Sequence, residues 1–172
     1  MLSHLLLMRH AEPSWDNEDI ADHDRPLASL GHLQADAVAR ALIARGVAPD
    51  IIWASDARRT VETAERLIRI IPGPQTIIRT PNFYHATARK VLTECTDAIE
   101  PSGNLMLLGH NPGWSDILMQ LGGKRMQMSP ACCAIFTRQN SDKRNWISPQ
   151  NWQLDEVLHP NALLAAEEAG NK

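Results

Sequence analysis

The sequence predicts an α/β fold, a three-layer sandwich in which a mostly parallel sheet carries helices on both faces. Two patterns predict it. Short apolar runs of strand length alternate with amphipathic helical stretches along most of the chain. The last two apolar runs then follow with no room for helical crossovers, which implies antiparallel pairing there.

Taken in order, His4 to Met8 is a strand-length run that stops at Arg9-His10. Ser29 is placed to cap a helix that puts Leu30, Leu33, Ala37, Val38, Ala41 and Leu42 on one face, closed by Gly46 near Pro49. Asp50 to Ala54 reads as a second buried strand leading into Ser55. Ala57, Val61, Ala64, Ile68 and Ile71 mark a second amphipathic helix, stopped by Pro72-Gly73-Pro74. Gln75 to Arg79 is a third strand, and Val91, Leu92, Cys95 and Ile99 place a third helix after it. Asn104 to Leu108 is a fourth strand, ending at Gly109-His110. Asn111 is placed to cap the next helix, with Pro112 at its first position and Trp114, Ile117, Leu118 and Leu121 on one face. Ala131 to Thr137 and Trp152 to Val157 are the later strands, and Asn161 to Ala169 a short terminal helix.

A chain of 172 residues fits one domain with a real core, here taken as 1–172. A formal net charge of −3, with Lys and Arg scattered among Asp and Glu, lacks the basic stripe of a nucleic-acid binder. Cys95, Cys132 and Cys133 are odd in number and carry no C-x-x-C pair, so they read as reduced thiols rather than a disulfide framework or a zinc site. The apolar run Leu5-Leu6-Leu7-Met8 is too short for a signal peptide or a membrane span. The expectation is a cytoplasmic protein without nucleic-acid or membrane partners.

In such a sheet, ligands bind beyond the carboxyl ends of the strands. Three strands end in polar residues that would meet there: Arg9-His10, Ser55 through Arg59, and His110. A phosphate dianion calls for guanidinium forks and a helix N-terminus, which Arg9, Arg59 and the first turn after Ser55 can supply. A neutral imidazole at His10 can attack phosphorus and form a covalent intermediate, and His110 can stabilise the charge that builds on an oxygen. Singly, each piece has a plainer reading. Arg9-His10 could be structural, Ser55 and Asp56 helix caps, Arg59 an exposed helix residue, and Gly109 to Gly113 a turn.

Together these segments resemble a known family. Leu7-Met8-Arg9-His10-Ala11-Glu12 is similar to the signature strand end of the histidine phosphatase superfamily, the phosphoglycerate mutase-like enzymes, with Ala11 where glycine is usual. Ser55 through Ala64 resembles the second motif and selects Arg59 over Arg58 as the phosphate ligand, and Gly109-His110-Asn111-Pro112 resembles the third. The short SixA-type branch is the best match, through Asp24-Arg25-Pro26-Leu27 followed by Gly31, and through Phe83-Tyr84-His85-Ala86. The resemblance runs from residue 5 to about residue 158.

It implies a phosphoglycerate mutase-like fold and a phosphatase without metal or cofactor. Arg9, Arg25, Arg59 and His110 would hold the phosphoryl group, and His10 would attack it. The larger family members are known for a carboxylate that protonates the leaving oxygen, and Thr80 to Lys90 holds no Asp or Glu. That lack favours a phosphoramidate, such as phosphohistidine in a protein, whose nitrogen is easily protonated. Glu12, Asp16 and Asp24 remain candidate acids from the first loop. The alternatives are a phosphatase of small phosphorylated metabolites and a phosphate-binding protein without turnover. His4, His23, His32, His85 and His159 carry no ligand spacing, Asp22-His23-Asp24 reads as a solvated loop rather than a metal site, and Trp15 lies in a loop able to cover the pocket.

Overall fold

The computed structural model describes residues 1–140 and 145–170. Six strands form one sheet: β1 (Leu2–Arg9), β2 (Ile51–Ser55), β3 (Thr76–Thr80), β4 (Gly103–Gly109), β5 (Cys133–Arg138) and β6 (Trp152–Leu158). Their order across the sheet is β3-β2-β4-β1-β5-β6. β1, β4, β2 and β3 pair in parallel, and β5 runs antiparallel to both of its neighbours. The mostly parallel sheet and its antiparallel margin are as the sequence implied.

Among the described residues, five helices cover the sheet: α1 (Ser29–Ala44), α2 (Arg58–Ile70), α3 (Ala88–Asp97), α4 (Gly113–Gly122) and α5 (Pro160–Gly170). α1 packs on α2 and α5, whereas α3 packs on α4, so the two groups lie in separate layers. The side chains of β1 alternate between the two cores. Leu5 and Leu7 join the one built with Trp114 and Phe83, and Leu6 and Met8 the one built with Val38 and Leu67. Both faces of the central strands are therefore dry, which is why those strands read as unbroken apolar runs.

Several helix details differ from the sequence reading. Ala28 stands at the N-cap of α1, without a side-chain cap bond, and Ser29 is already helical. Leu30 and Leu33 are exposed, and the buried row runs through Gly31, Gln34, Ala35, Val38, Ala39 and Leu42. The cause is close docking. A Cβ on Gly31 would lie 2.3 Å from the Glu12 carbonyl oxygen, and the Gln34 amide oxygen accepts from the Glu12 N–H at 3.0 Å. Small and polar residues thus face the strand end, and the leucines turn outward. On α2 the buried row is Arg59, Thr60, Thr63, Ala64 and Leu67, with Val61 and Ile68 only half-buried. Ile99 lies past the end of α3 and is exposed. Pro112, not Asn111, is the N-cap of α4. The Asn111 carboxamide instead donates to the Met128 carbonyl at 2.8 Å and accepts from the Ser115 hydroxyl at 2.9 Å.

The chain leaves β1 toward α1 in one layer and leaves β4 toward α4 in the other. β1 and β4 are neighbours, so their carboxyl ends flank a topological switch point, where α/β sheets open a crevice.

Candidate active site

Arg9 pairs with Gly109 at the last register position of β1 and β4, and the His10 N–H donates to the Gly109 carbonyl at 2.9 Å. His10 and His110 are therefore the next residues on adjacent parallel strands, and their ring centroids lie 5.1 Å apart. β2, on the far side of β4, ends at Ser55, and Arg59 follows in the first turn of α2. Strand order thus brings Arg9, His10, Arg59 and His110 together from three separate segments. All four line one cavity of about 170 Å³, with Arg25, Pro13, Trp15, Asp22, His85 and Asn111.

The hydrogen bonds fix both imidazole tautomers. The Nδ1 of His10 lies 2.7 Å from the Ala11 carbonyl, which can only accept, so the proton sits there and Nε2 keeps its lone pair. Arg59 Nε donates to that Nε2 at 3.3 Å. Arg59 Nη2 lies 3.3 Å from Nδ1 of His110. A guanidinium can only donate, so the His110 proton is on Nε2, which donates to the Ser55 hydroxyl at 2.8 Å. Burial pushes His10 down to about 3, with Arg59 and Arg9 adding to the effect. Burial likewise pushes His110 down to about 2, helped by His10 and Arg59. Both rings are neutral at physiological pH, the form in which an imidazole is a nucleophile.

The arginines divide the remaining work. Arg59, at the positive end of the α2 dipole, also donates to the Asp22 carbonyl at 2.5 Å and to its carboxylate at 3.0 Å. Arg9 gives Nη1 to the Met128 carbonyl at 2.8 Å, and its buried Nε has no partner among the described residues. Burial, together with Arg59, pulls its pKa below the usual arginine value. Arg25 lines the cavity, but its Nη atoms serve the carbonyls of Ser14, Asn17 and Ile20, and its guanidinium lies 4.2 Å from the Trp15 ring centroid. Only its buried Nε is left without a partner. Two unpartnered donors beside a small cavity suit an anion with several oxygens.

The sequence reading missed Asp22, Tyr84 and His85. Asp22 lies in a short 3₁₀ turn, Asp22–Asp24, and its carboxylate accepts from Tyr84 at 2.8 Å and from His85 Nε2 at 3.1 Å. Burial alone would raise this carboxyl, but Tyr84, Arg59 and His85 outweigh it and hold it at about 2. None of Glu12, Asp16 and Asp24, the acids considered from sequence, lines the cavity. The available signal was positional. Tyr84-His85 follows β3, whose carboxyl end lies at the same sheet edge as that of β2.

A model of the histidine phosphatase superfamily (branch 1) matches residues 5–83, a span that includes Arg9, His10, Arg25 and Arg59. Over those residues the chain is similar to the histidine phosphatase superfamily. An uncharacterized chloroplastic protein of Arabidopsis thaliana is 29% identical, over 93% of this chain and 79% of its own. A SixA-type structure from Agrobacterium tumefaciens superposes with a TM-score of 0.77 at 24% identity, covering 93% of this chain and 99% of that one. The protein histidine phosphatase SixA complexed with tungstate gives 0.75 at 17% identity, with the same coverage. The fold is thus that of the short SixA-type structures. Among the described residues, no helix is long and apolar enough to cross a membrane.

Proposed function

We propose that this protein is a metal-independent phosphatase that passes a phosphoryl group through His10, and that its substrate is phosphohistidine displayed by another protein. One observation carries the reading: a neutral His10, its unprotonated Nε2 accepting from Arg59, lines one cavity with Arg9, Arg59 and His110. Nε2 attacks phosphorus, the bond to the leaving nitrogen breaks, and water then attacks the phosphohistidine to release inorganic phosphate. Arg9 and Arg59 hold the equatorial oxygens and supply the positive charge a metal would otherwise bring, with Arg25 and His110 lining the same cavity.

The size of the cavity supports a macromolecular substrate. At about 170 Å³ it is smaller than the ~300–1,000 Å³ of pockets that enclose a whole small ligand. A larger cleft of about 610 Å³ shares Asn111 with it and is lined by Ser115, Asp116, Met119 and Arg125, leaving room for the polypeptide around the phosphorylated residue. The whole chain, 1–172, is read as one phosphatase domain. Its three free, buried cysteines support a reducing compartment, the cytoplasm.

A second reading, hydrolysis of small phosphate monoesters, is favoured by the Asp22–His85 pair inside the cavity, a group the sequence argument lacked. Phosphate release from phosphohistidine protein, phosphoserine peptide and sugar phosphates separates the two. Wild type should form an acid-labile radiolabelled adduct that His10→Ala lacks, with turnover abolished in that variant. Undiminished turnover by folded His10→Ala would remove His10 as nucleophile. Phosphate binding with no adduct and no turnover would leave a binding protein.

A further inference from the structure

His85 has features that phosphoryl transfer to His10 leaves unused. Its backbone is left-handed, at φ 45, a conformation that costs a non-glycine residue energy and that clusters at functional sites. The ring lies at the mouth of the cavity, stacked over His110 with centroids 5.7 Å apart and planes at 30°. Its Nε2 is 3.1 Å from the Asp22 carboxylate, and that carboxylate is fixed in turn by Tyr84 and Arg59. Nδ1 makes no hydrogen bond among the described residues. A ring anchored at one nitrogen by a carboxylate, with the other nitrogen unbonded on a residue that lines the cavity, is the arrangement general acid–base catalysis uses. Asp22 itself is held ionised, so it can orient a proton donor but not be one.

We propose that His85, oriented by Asp22, is the proton donor to the leaving group, and that the site therefore accepts unactivated phosphate monoesters as well as phosphoramidates. This rests on the reading of His10 as nucleophile. In the first step the His10 Nε2–P bond forms as the P–O bond to the alcohol breaks. The oxygen keeps that electron pair and takes the proton from Nδ1 of the His85 imidazolium, leaving His85 neutral. In the second step a water oxygen attacks phosphorus and gives its proton to Nδ1 of His85. The P–N bond breaks, and its electron pair returns to His10. Asp22 is a positioning residue throughout.

The test compares kcat/KM for p-nitrophenyl phosphate, whose phenolate departs without a proton, with that for an alkyl phosphate such as glycerol 2-phosphate. His85→Asn suits the left-handed backbone and cannot supply a proton. It should lose about 100-fold on the alkyl ester, the lower end of what a general acid contributes, and less than about threefold on the nitrophenyl ester. Asp22→Asn should show the same leaving-group bias, at about tenfold. Equal losses on both esters would overturn the proposal, because they would mean that His85 only shapes or binds. Cleavage of phosphohistidine without any turnover of the alkyl ester by wild type would overturn it too. Failure of wild type on every substrate would instead overturn the phosphatase reading beneath it.

Discussion

Lowering the pH from about 6.5 to about 4.5 should destabilise the fold steeply, through two rings in the active site. In the unfolded chain His10 and His110 titrate near the ordinary value of 6.5, whereas in the folded protein burial holds them at about 3 and about 2. Below 6.5 the unfolded state therefore binds more protons, and stability falls as the pH falls. The contribution is fully present above 6.5 and is gone once the pH passes the folded values. Each ring contributes about 1.4 kcal/mol per pH unit in that window, so the pair contributes about 5 kcal/mol over two units. Against a total of ~5–15 kcal/mol for a typical domain, that is enough to bring acid unfolding to mildly acidic pH. His23 works in the opposite sense. Its bond to Asp56 raises its pKa, but its side chain is 40% exposed, so the effect is small. Urea unfolding at several pH values measures the slope. His10→Gln should reduce it by about half, and inorganic phosphate, whose negative charge favours protonated imidazole, should flatten it. An unchanged midpoint across this range, or an equal slope in His10→Gln, would refute the reasoning.

Two substitutions probe the frame of the site. Arg59→Lys should fold but lose on the order of 100-fold in kcat/KM by steady-state assay, because one ammonium cannot meet His10 Nε2, His110 Nδ1, the Asp22 carbonyl and the Asp22 carboxylate at once. Gly31→Ala gains about 1 kcal/mol of helix propensity, yet its Cβ would meet the Glu12 carbonyl at 2.3 Å. α1 must then move off the strand end, at a cost of about 1–3 kcal/mol, so the urea midpoint should fall or stay level, not rise.

Much of the site was legible because sheet order converts sequence distance into proximity. Apolar runs that stop at Arg9-His10, Ser55 and Gly109-His110 marked the carboxyl ends of β1, β2 and β4, and those ends are neighbours in the sheet. Periodicity was a poorer guide where backbones approach closely. On α1 it chose Leu30 and Leu33, while contact with Glu12 demanded Gly31 and Gln34. Asp22 and His85 were not legible for a different reason. Asp22 comes from a loop turn and His85 from a left-handed residue after β3, and neither conformation is encoded by a hydrophobic period.

Departures from local rules are concentrated around this one cavity. Among the described residues, the two non-glycine residues with positive φ are His85 and Ala131. His85 lines the cavity, and the Ala131 N–H donates to the His10 carbonyl at 2.9 Å. Two of the four buried polar side-chain atoms without a partner, Arg9 Nε and Arg25 Nε, belong to residues of the same wall. The two imidazoles held neutral against their ordinary pKa are there as well. The left-handed residues and the unpartnered donors are unfavourable for folding, and the imidazoles become so below pH 6.5; the dry cores on the two faces of the sheet offset them. An anion entering the cavity would relieve the unpartnered guanidinium nitrogens by accepting from them, and would share Arg59 with Asp22. The unfavourable energy of those unpartnered donors would thus become binding energy for a phosphoryl group, which couples this wall of the fold to the phosphate chemistry proposed above.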